Sequence, residues 1–465
     1  MATINKISLR RPSPALLSIA TMALPLVGVR LVNNGSNFIN NILIAQLGPK
    51  ALAASALAWG LQFSLMALLL ASTTAIGICV GNAYGAQDYQ QAGKIWRHGM
   101  LLVTMMALPV MALLWWVNVF LQAFHQPPPL IDLVQDYCKG YSLAVLPVAW
   151  YSATTQMLAG ISRARFSFNI TLLVLPLTVL MAYGFIFGKG GLPSLGMAGA
   201  AYAVTTVYWS MYGFLLLLLF FRQEFEAFQL FHWQEPIQWC LVKRLFHLGW
   251  PASLQFGGEF IAILGTTLMM GIFGHTALSA QQMVTQLLSI TVVVHFGIAQ
   301  AVGVHISQAY GAKAYDRLYD YGRMGLYLVS AFTITVGFFF IMYPRFFIHF
   351  YINVNDPANV NIVQLATGFF LLTACSQFFD GLRNISTMNL RSLHDPRVPM
   401  MWSMLSTWII GLGGGYLLAH YVQLGPMGYR WSFLLGYALA AVLLIKRFRF
   451  KSQALIPLAE GKGFS

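Results

Sequence analysis

Residues 81–89 read GNAYGAQDY and residues 307–315 read SQAYGAKAY. The two segments share AYGA and the final tyrosine, and they lie 226 residues apart in the chain, from 81 to 307. The offset holds upstream without a gap, where it matches Pro25 with Pro251. A second similarity lies near the end of each half, LGMAGAA from position 195 and LGPMGYR from position 424. The chain is therefore predicted to contain two copies of one structural unit.

The composition indicates that the solvent of this protein is lipid. The 465 residues are 58% hydrophobic and 9% charged, with a mean hydropathy of +0.67, whereas a soluble domain carries about 25% charged residues. A bilayer core of roughly 30 Å needs about 20 apolar residues per helix. Stretches of that length predict twelve spans, at 14–47, 53–81, 97–124, 131–160, 166–187, 194–221, 240–273, 279–307, 322–350, 360–390, 398–421 and 427–445.

The predicted fold is all-α, a polytopic membrane protein with six helices in each of two lobes. Because six spans return the chain to its starting side, the lobes are expected to be related by a pseudo-two-fold axis along the membrane normal. Proteins built this way bind substrate between the lobes and work by alternating access. Four parts are predicted: an N-terminal lobe over 1–222, a linker over 223–239, a C-terminal lobe over 240–448 and a cytoplasmic tail over 449–465.

The net charge of +14 reflects membrane topology, not a nucleic-acid surface. With the N-terminus in the cytoplasm, the basic residues outside are Lys50, Lys139, Lys189, Arg345 and Arg430. Those inside are Lys6, Arg10, Arg11, Lys94, Arg97, Arg163, Arg165, Arg222, Lys243, Arg244, Lys313, Arg317, Arg323, Arg391, Arg397, Lys446, Arg447, Arg449, Lys451 and Lys462. This asymmetry follows the positive-inside rule and predicts that both termini are cytoplasmic.

Two acidic residues lie well inside predicted spans, Glu259 in the seventh and Asp380 in the tenth. A carboxylate at the bilayer centre costs about 2.5–3.5 kcal/mol on insertion scales, so such groups usually serve a function. A proton or cation site, or a counter-charge for substrate, is one interpretation. A structural ion pair is the other, because Arg383 lies one helical turn from Asp380 on the same face. Gln255 and Gln377, on the same two spans, are further candidates for the cleft.

The first span carries a row of amides instead of an acid. Asn33, Asn37 and Asn40 follow helical spacing and could bind substrate, coordinate a cation or join helices. Arg30, in the same span, could pair with an acid across the cleft or meet an anionic substrate group. His295, in the eighth span, could carry a proton or be a buried core histidine.

The sequence contains none of the common motifs for nucleotide binding, metalloprotease catalysis or serine-hydrolase catalysis. There is no GxxxxGK[ST], no HExxH and no GxSxG pattern. The four cysteines are scattered and have no metal-binding spacing. We therefore expect neither ATP-driven transport nor an enzyme, and no cofactor.

Four segments together resemble the multidrug and toxic compound extrusion family, and most closely its NorM-type branch. They are FINNILIAQLGPKALAA from Phe38, GKGGLPSLGMAGAAYAVTTVYW from Gly188, LGWPASLQFGGEFIAI from Leu248 and FFDGLRNISTMNLRSLHD from Phe378. The resemblance covers nearly the whole chain. It implies a V-shaped, two-lobed secondary exporter of lipophilic organic cations, working as a monomer in a bacterial inner membrane and contacting lipid.

The resemblance also implies a coupling ion, Na⁺ or H⁺, held at Glu259 and Asp380. The family commonly has an aspartate in its first span, where this chain has Asn40, so coupling is expected to rest on the C-terminal lobe. Arg30 and Arg383 leave an alternative open, because guanidinium groups suit anionic phosphates. That alternative is a flippase of lipid-linked saccharides, or an exporter of an anionic or zwitterionic metabolite.

Overall fold

The computed structural model describes residues 14–123, 125, 127–232 and 236–459. The basic residues Lys6, Arg10, Arg11 and Lys462 lie outside the described residues, as do residues 233–235 of the predicted linker. The described chain is helical, with no strand in those ranges. This confirms the all-α prediction.

The N-terminal half contains spans 1 to 6. The helices are Pro14–Ala45 for span 1, Pro49–Ser72 and Thr74–Gly85 for span 2, Tyr89–Trp115 and Val117–Ala123 for span 3, Pro128–Gly160 for span 4, Ala164–Thr171 and Val174–Phe187 for span 5, and Met197–Phe221 for span 6. A 3-10 helix, Gln223–Phe228, follows in the linker. It buries Phe225 and Phe228 in the core of this half.

The C-terminal half contains spans 7 to 12. The helices are Trp239–Ile272 for span 7, His275–Gly311 for span 8, Asp316–Met342 for span 9, Val360–Ser392 for span 10, and Met427–Ala459 for span 12. Span 11 consists of Arg397–Met404, the π-helical Leu405–Gly413 and Gly414–His420. Two short helices, Pro344–His349 and Pro357–Asn359, join spans 9 and 10.

Ten helices in the described ranges are long and apolar enough to span a membrane. Two more segments complete the twelve predicted spans, Pro128–Gly160 and residues 397–420. The first begins with charged residues such as Asp132 and Lys139, and the second is divided by its π-helical turns. Several helices extend beyond their predicted ends, because polar helix turns continue outside the apolar core. Span 3, for example, begins at Tyr89, where Asp88 caps Gln91 N–H at 2.9 Å.

The repeated segment has the same backbone conformation in both halves. Gln87 and Lys313, which correspond in the repeat, both have left-handed backbone angles, with φ of 60° and 57°. Gly48 and Gly274, which precede spans 2 and 8, have φ of 104° and 91°. Because few side chains tolerate positive φ, the repeated sequence specifies the repeated geometry.

The ends of spans 2 and 8 meet at the predicted cytoplasmic side. A methyl group built on Gly85 would collide with the backbone carbonyl of Gln308, and one on Gly311 with that of Asn82. These residues correspond in the repeat, so the contact has the reciprocal form of a two-fold interface. We call this contact the 85/311 crossing. It closes the two lobes against each other at this end.

Further contacts join the lobes deeper in the membrane. Phe63 of span 2 and Phe260 of span 7 have ring centroids 4.8 Å apart. The Ser253 hydroxyl donates to the Leu68 carbonyl at 2.5 Å. Spans 1 and 8 also pack closely, with Gly297 against Val27. Spans 1, 2, 7 and 8 therefore form the interface between the lobes.

Candidate functional site

The middle of span 10 presents three polar side chains on one helical face. Asp380, Arg383 and Asn384 are spaced by three and four residues, so they project from the same side of the helix. The Arg383 guanidinium donates to Asp380 Oδ1 from Nη2 at 2.7 Å and from Nε at 3.0 Å. Asn384 Nδ2 donates to the other oxygen, Oδ2, at 3.0 Å. Both oxygens of Asp380 are thus occupied.

Arg383 also reaches the second intramembrane acid, on span 7. Its Nη1 donates to Glu259 Oε1 at 2.5 Å, and Gln255 Nε2 donates to the same oxygen at 2.9 Å. Oε2 of Glu259 takes part in no hydrogen bond or ion pair with the described residues. The Glu259 side chain is 16% exposed, against 8% for Asp380 and 2% for Arg383. Glu259 is therefore the most accessible member of this cluster and has a free carboxylate oxygen.

The network continues from Gln255 to a second guanidinium. Arg391 Nη2 donates to Gln255 Oε1 at 2.6 Å. Arg383 also lies over the ring of Tyr437 of span 12, 5.0 Å from its centroid. We call Gln255, Glu259, Asp380, Arg383 and Arg391 the C-lobe network. Its two carboxylates and two guanidinium groups balance in charge, which limits the cost of burying them.

His295 and Gln377 lie beside the network without joining it. His295 is fully buried, and neither ring nitrogen has a partner in the described part of the chain. Its Cε1 lies 3.5 Å from where a Cβ would stand on Gly381. Gln377 accepts a hydrogen bond from Thr291 at 3.1 Å. Thr291, His295 and Gln377 line a small cavity between spans 8, 9 and 10.

The amides of span 1 do not share one environment. Asn40 is buried and Asn37 is exposed, while Asn33 is half-buried. Oδ1 of Asn33 and of Asn40 and the hydroxyl of Ser36 are buried without partners among the described residues. The face of span 1 that turns inward therefore runs through Asn33, Ser36 and Asn40, and Asn37 lies outside it.

Arg30 contacts amides of the interface between the lobes. Its Nη2 donates to Gln300 Oε1 of span 8 at 3.2 Å, and its guanidinium lies 5.6 Å from the ring centroid of Phe296. Gln300 Nε2 in turn donates to Gln156 Oε1 of span 4 at 2.9 Å. Within the described ranges Arg30 forms no ion pair, so an amide stands where the sequence suggested an acid across the cleft.

Sequence reasoning missed several members of these networks. Arg391 is predicted only as a cation on the cytoplasmic side, and the structure adds that it is 5% exposed, in the last turn of the span 10 helix. Gln156, Gln300 and Tyr437 were not singled out. Glutamine can join any two helices by a hydrogen bond and tyrosine also anchors helices at the interface, so their local sequence does not separate a network residue from an ordinary packing residue.

Comparison with known proteins fits this geometry. A family model described as MatE matches residues 25–184 and 251–417, so it matches each half once and at the offset of the internal repeat. A probable multidrug resistance protein NorM of Burkholderia pseudomallei is 32% identical over 445 residues, covering 96% of this chain and 94% of its own length. A protein of the same description from Deinococcus radiodurans is 31% identical and covers 94% and 96%.

Solved structures share the fold at low sequence identity. An outward-facing multidrug resistance MATE family transporter superposes with a TM-score of 0.86 at 17% identity, covering 95% of this chain and 96% of its own. A transporter from Pyrococcus furiosus superposes at 0.84 and 16% identity over 95% and 96%, and its binding pocket is described as having reverse polarity.

Two repeated six-helix lobes with acidic and basic side chains buried in their interior are typical of a membrane transporter. The chain belongs to the MatE family, as the match to both halves and to full-length relatives shows. The predicted twelve-helix, two-lobe fold and the predicted family are confirmed. Membership also confirms that the chain is a transporter and not an enzyme.

Proposed function

We propose that this protein exports lipophilic organic cations in exchange for protons, by alternating access of a cleft between its lobes. The observation that carries the proposal is the state of Glu259: an accessible carboxylate with one free oxygen, at the edge of a charge-balanced network. The relatives named as multidrug resistance proteins support the substrate class.

Glu259 is the residue at which ion and substrate exchange. When it is ionised, its free Oε2 offers a negative charge to an organic cation entering the cleft. When it is protonated, the charge is lost and the cation is released, while Arg383 keeps its two hydrogen bonds to Asp380. Proton and substrate therefore compete for one carboxylate, and each biases the equilibrium between the two lobe arrangements.

Asp380 has a different part in this proposal. Both its oxygens are occupied, so it holds Arg383 in place and does not itself exchange an ion. Sodium prefers several oxygen ligands, and here a tethered guanidinium already occupies the space between the two carboxylates. For this reason we favour a proton over Na⁺ as the coupling ion, and Glu259 over Asp380 as the residue that exchanges it.

The anionic-substrate alternative has less support. Arg383 is neutralised by two carboxylates. Arg30 keeps its charge, because its partner Gln300 is neutral, but it is already hydrogen-bonded at the interface between the lobes. A flippase of lipid-linked saccharides, or an exporter of an anionic metabolite, would need further cationic groups in the cleft to meet its substrate.

The test is transport in proteoliposomes loaded with a fluorescent lipophilic cation such as ethidium. Wild-type protein is expected to move the cation under a pH gradient, and Glu259→Gln protein is expected to lose that movement. Gln preserves the side-chain volume and can still accept from Gln255, so the variant should fold. Its unfolding temperature in detergent checks this.

A sodium gradient forms the second arm of the same experiment. Transport driven by sodium and not by protons would overturn proton coupling. Full proton-driven transport by the Glu259→Gln protein would overturn the role of this residue. Movement of an anionic substrate and of no cation would favour the alternative.

A further inference from the structure

A basic pocket lies on the C-terminal lobe, next to the Arg391 end of the C-lobe network and separate from its two carboxylates. It forms a cleft of about 510 Å³ at the predicted cytoplasmic ends of spans 7, 8 and 11. Its polar lining comes from the start of span 7, the end of span 8 and the connection between spans 10 and 11, and consists of Arg244, His247, Tyr310, His394, Asp395 and Arg397.

The charge of this pocket is unbalanced. Arg244 and Arg397 are exposed and form no ion pair with the described residues. Arg447 approaches Oδ2 of Asp395 at 2.8 Å and Lys451 approaches it at 3.2 Å, both from the helix of span 12. This carboxylate is therefore already shared by two cations, although its Oδ1 has no hydrogen bond or ion pair with the described residues. Because Asp395 is the acid in the pocket lining, the cationic groups around the cleft outnumber the acidic ones.

His394 adds a hydrogen-bonding group to the same cleft. Its two ring nitrogens are shielded from solvent and have no partner in the described part of the chain. Its backbone has φ of 58°, which is unusual for a residue with a side chain, and its ring lies 5.5 Å from that of Tyr310. Burial, followed by the charges of Arg244 and Lys451, lowers the pKa of His394 to about 4. At neutral pH the imidazole is therefore uncharged, with one N–H to donate and one nitrogen to accept.

From this arrangement we infer that the basic pocket binds a phosphate-bearing anion between Arg244 and Arg397. Guanidinium groups bind phosphate oxygens by paired, charge-assisted hydrogen bonds, and the His394 N–H can supply a further donor. The pocket opens where spans 7 and 11 are predicted to leave the membrane on its cytoplasmic side. Basic pockets between helices on that side suit anionic lipid headgroups, although a soluble phosphate presents the same oxygens.

The site would connect two helices that carry the C-lobe network. Arg244 and Glu259 lie on the same helix, 15 residues apart, which corresponds to about 22 Å along its axis. The His394 connection directly follows the helix that carries Asp380 and Arg383. The pocket would bind its anion whichever substrate or coupling ion the transporter uses.

The experiment measures thermal unfolding of the purified protein in a neutral detergent at constant ionic strength. Three probes are titrated: short-chain phosphatidylglycerol, phosphatidylcholine of the same chain length, and inorganic phosphate. Wild-type protein is expected to be stabilised saturably by the phosphatidylglycerol, by inorganic phosphate, or by both, and not by the zwitterionic lipid. Stabilisation by phosphatidylglycerol alone identifies a lipid headgroup, and an equal response to inorganic phosphate identifies a soluble phosphate.

The double variant Arg244→Gln/Arg397→Gln is expected to bind the effective probe at least about tenfold more weakly, because each charge-assisted hydrogen bond contributes strongly to affinity. The matched control is Lys313→Gln/Arg317→Gln, which removes two exposed positive charges from the same membrane side but outside the pocket. The control should keep wild-type affinity.

Equal stabilisation of wild-type and double-variant protein would overturn the site, as would a response to phosphatidylcholine equal to that for phosphatidylglycerol. Because Arg244 and Arg397 are exposed and unpaired in the described structure, their replacement should leave the unliganded unfolding temperature unchanged. If the double variant nevertheless unfolds early, Arg397→Gln and Arg397→Lys are compared instead. Loss of affinity in the first and partial retention in the second supports the site, and equal affinity overturns it.

Discussion

Arg383 contacts both of the acids that lie inside membrane spans, and this shapes how each acid can act. Asp380 lies on the same helix as Arg383, whereas Glu259 lies on another helix and is 124 positions away in the chain. A buried charge that loses its partner is costly, whereas a balanced group is tolerated. The three side chains should therefore be treated as one unit when they are mutated.

At the residue scale, Arg383→Gln is expected to lower the free energy of unfolding by about 3–5 kcal/mol, because it leaves two buried carboxylates without their shared cation. Adding Asp380→Asn removes one of those charges, so the double variant should be more stable than Arg383→Gln alone. Thermal unfolding of the single and double variants in detergent gives the coupling between the two sites.

The cycle needs Asp380→Asn alone as its fourth member. Additive effects of the two substitutions, with no coupling, would contradict the view that Asp380 and Arg383 form a structural pair. Transport by the double variant is a second readout. If Asp380 itself exchanged the ion, the double variant would be stable but would show no proton-driven movement of ethidium.

At the scale of elements, spans 2 and 8 owe their close approach to two glycines. Gly85 and Gly311 occupy equivalent places in the repeat, and each lies against a backbone carbonyl of the opposite lobe. Backbone atoms cannot move aside as a flexible side chain can. The 85/311 crossing thus requires glycine on both sides to close.

Replacing Gly85 and Gly311 with alanine is expected to prevent this closure and to reduce transport strongly. The opening can be measured with Ser307→Cys, a position that is fully buried at the crossing, in a protein whose exposed Cys240 and Cys375 are changed to serine. Maleimide should label this cysteine faster when both glycines are replaced.

Gly60→Ala and Gly271→Ala are the matched controls, because a Cβ at either position meets no atom within 4 Å. Alanine is a better helix former than glycine by roughly 0.5–1 kcal/mol, so the controls should be at least as stable as wild type. Unchanged labelling and normal transport after substitution of Gly85 and Gly311 would show that the crossing does not gate the lobes.

At the scale of the whole molecule, the distribution of charge predicts orientation. The basic residues concentrate at one end of the twelve spans, which is the cytoplasmic end by the positive-inside rule. Fluorescent protein fused after position 465 should therefore fluoresce, and alkaline phosphatase fused there should be inactive. Phosphatase inserted at Gly190, between spans 5 and 6, should be active. The reverse pattern would invert the molecule and make the basic pocket extracytoplasmic.

Part of the candidate site could be predicted from local sequence. Glu259 and Asp380 stand out because a carboxylate in a long apolar stretch is rare, and Arg383 stands out because helical spacing places it beside Asp380. The sequence did not indicate that Arg383 also binds Glu259, that Arg30 donates to Gln300, or that Arg391 is buried. Each of those depends on which face of one helix meets which face of another.

The sequence by itself determined that this protein lies in a lipid bilayer, that it is helical, that it has twelve spans and that its two halves repeat. Those properties follow from local composition, apolar length and the internal offset, which need no knowledge of packing. Only the tertiary structure decided how Arg383 is shared between Glu259 and Asp380, and how Gly85 and Gly311 close the lobes. Apolar spans of similar composition can rotate about their axes without changing their hydrophobic length, so the sequence pattern leaves helix-to-helix contacts undetermined and close packing selects them.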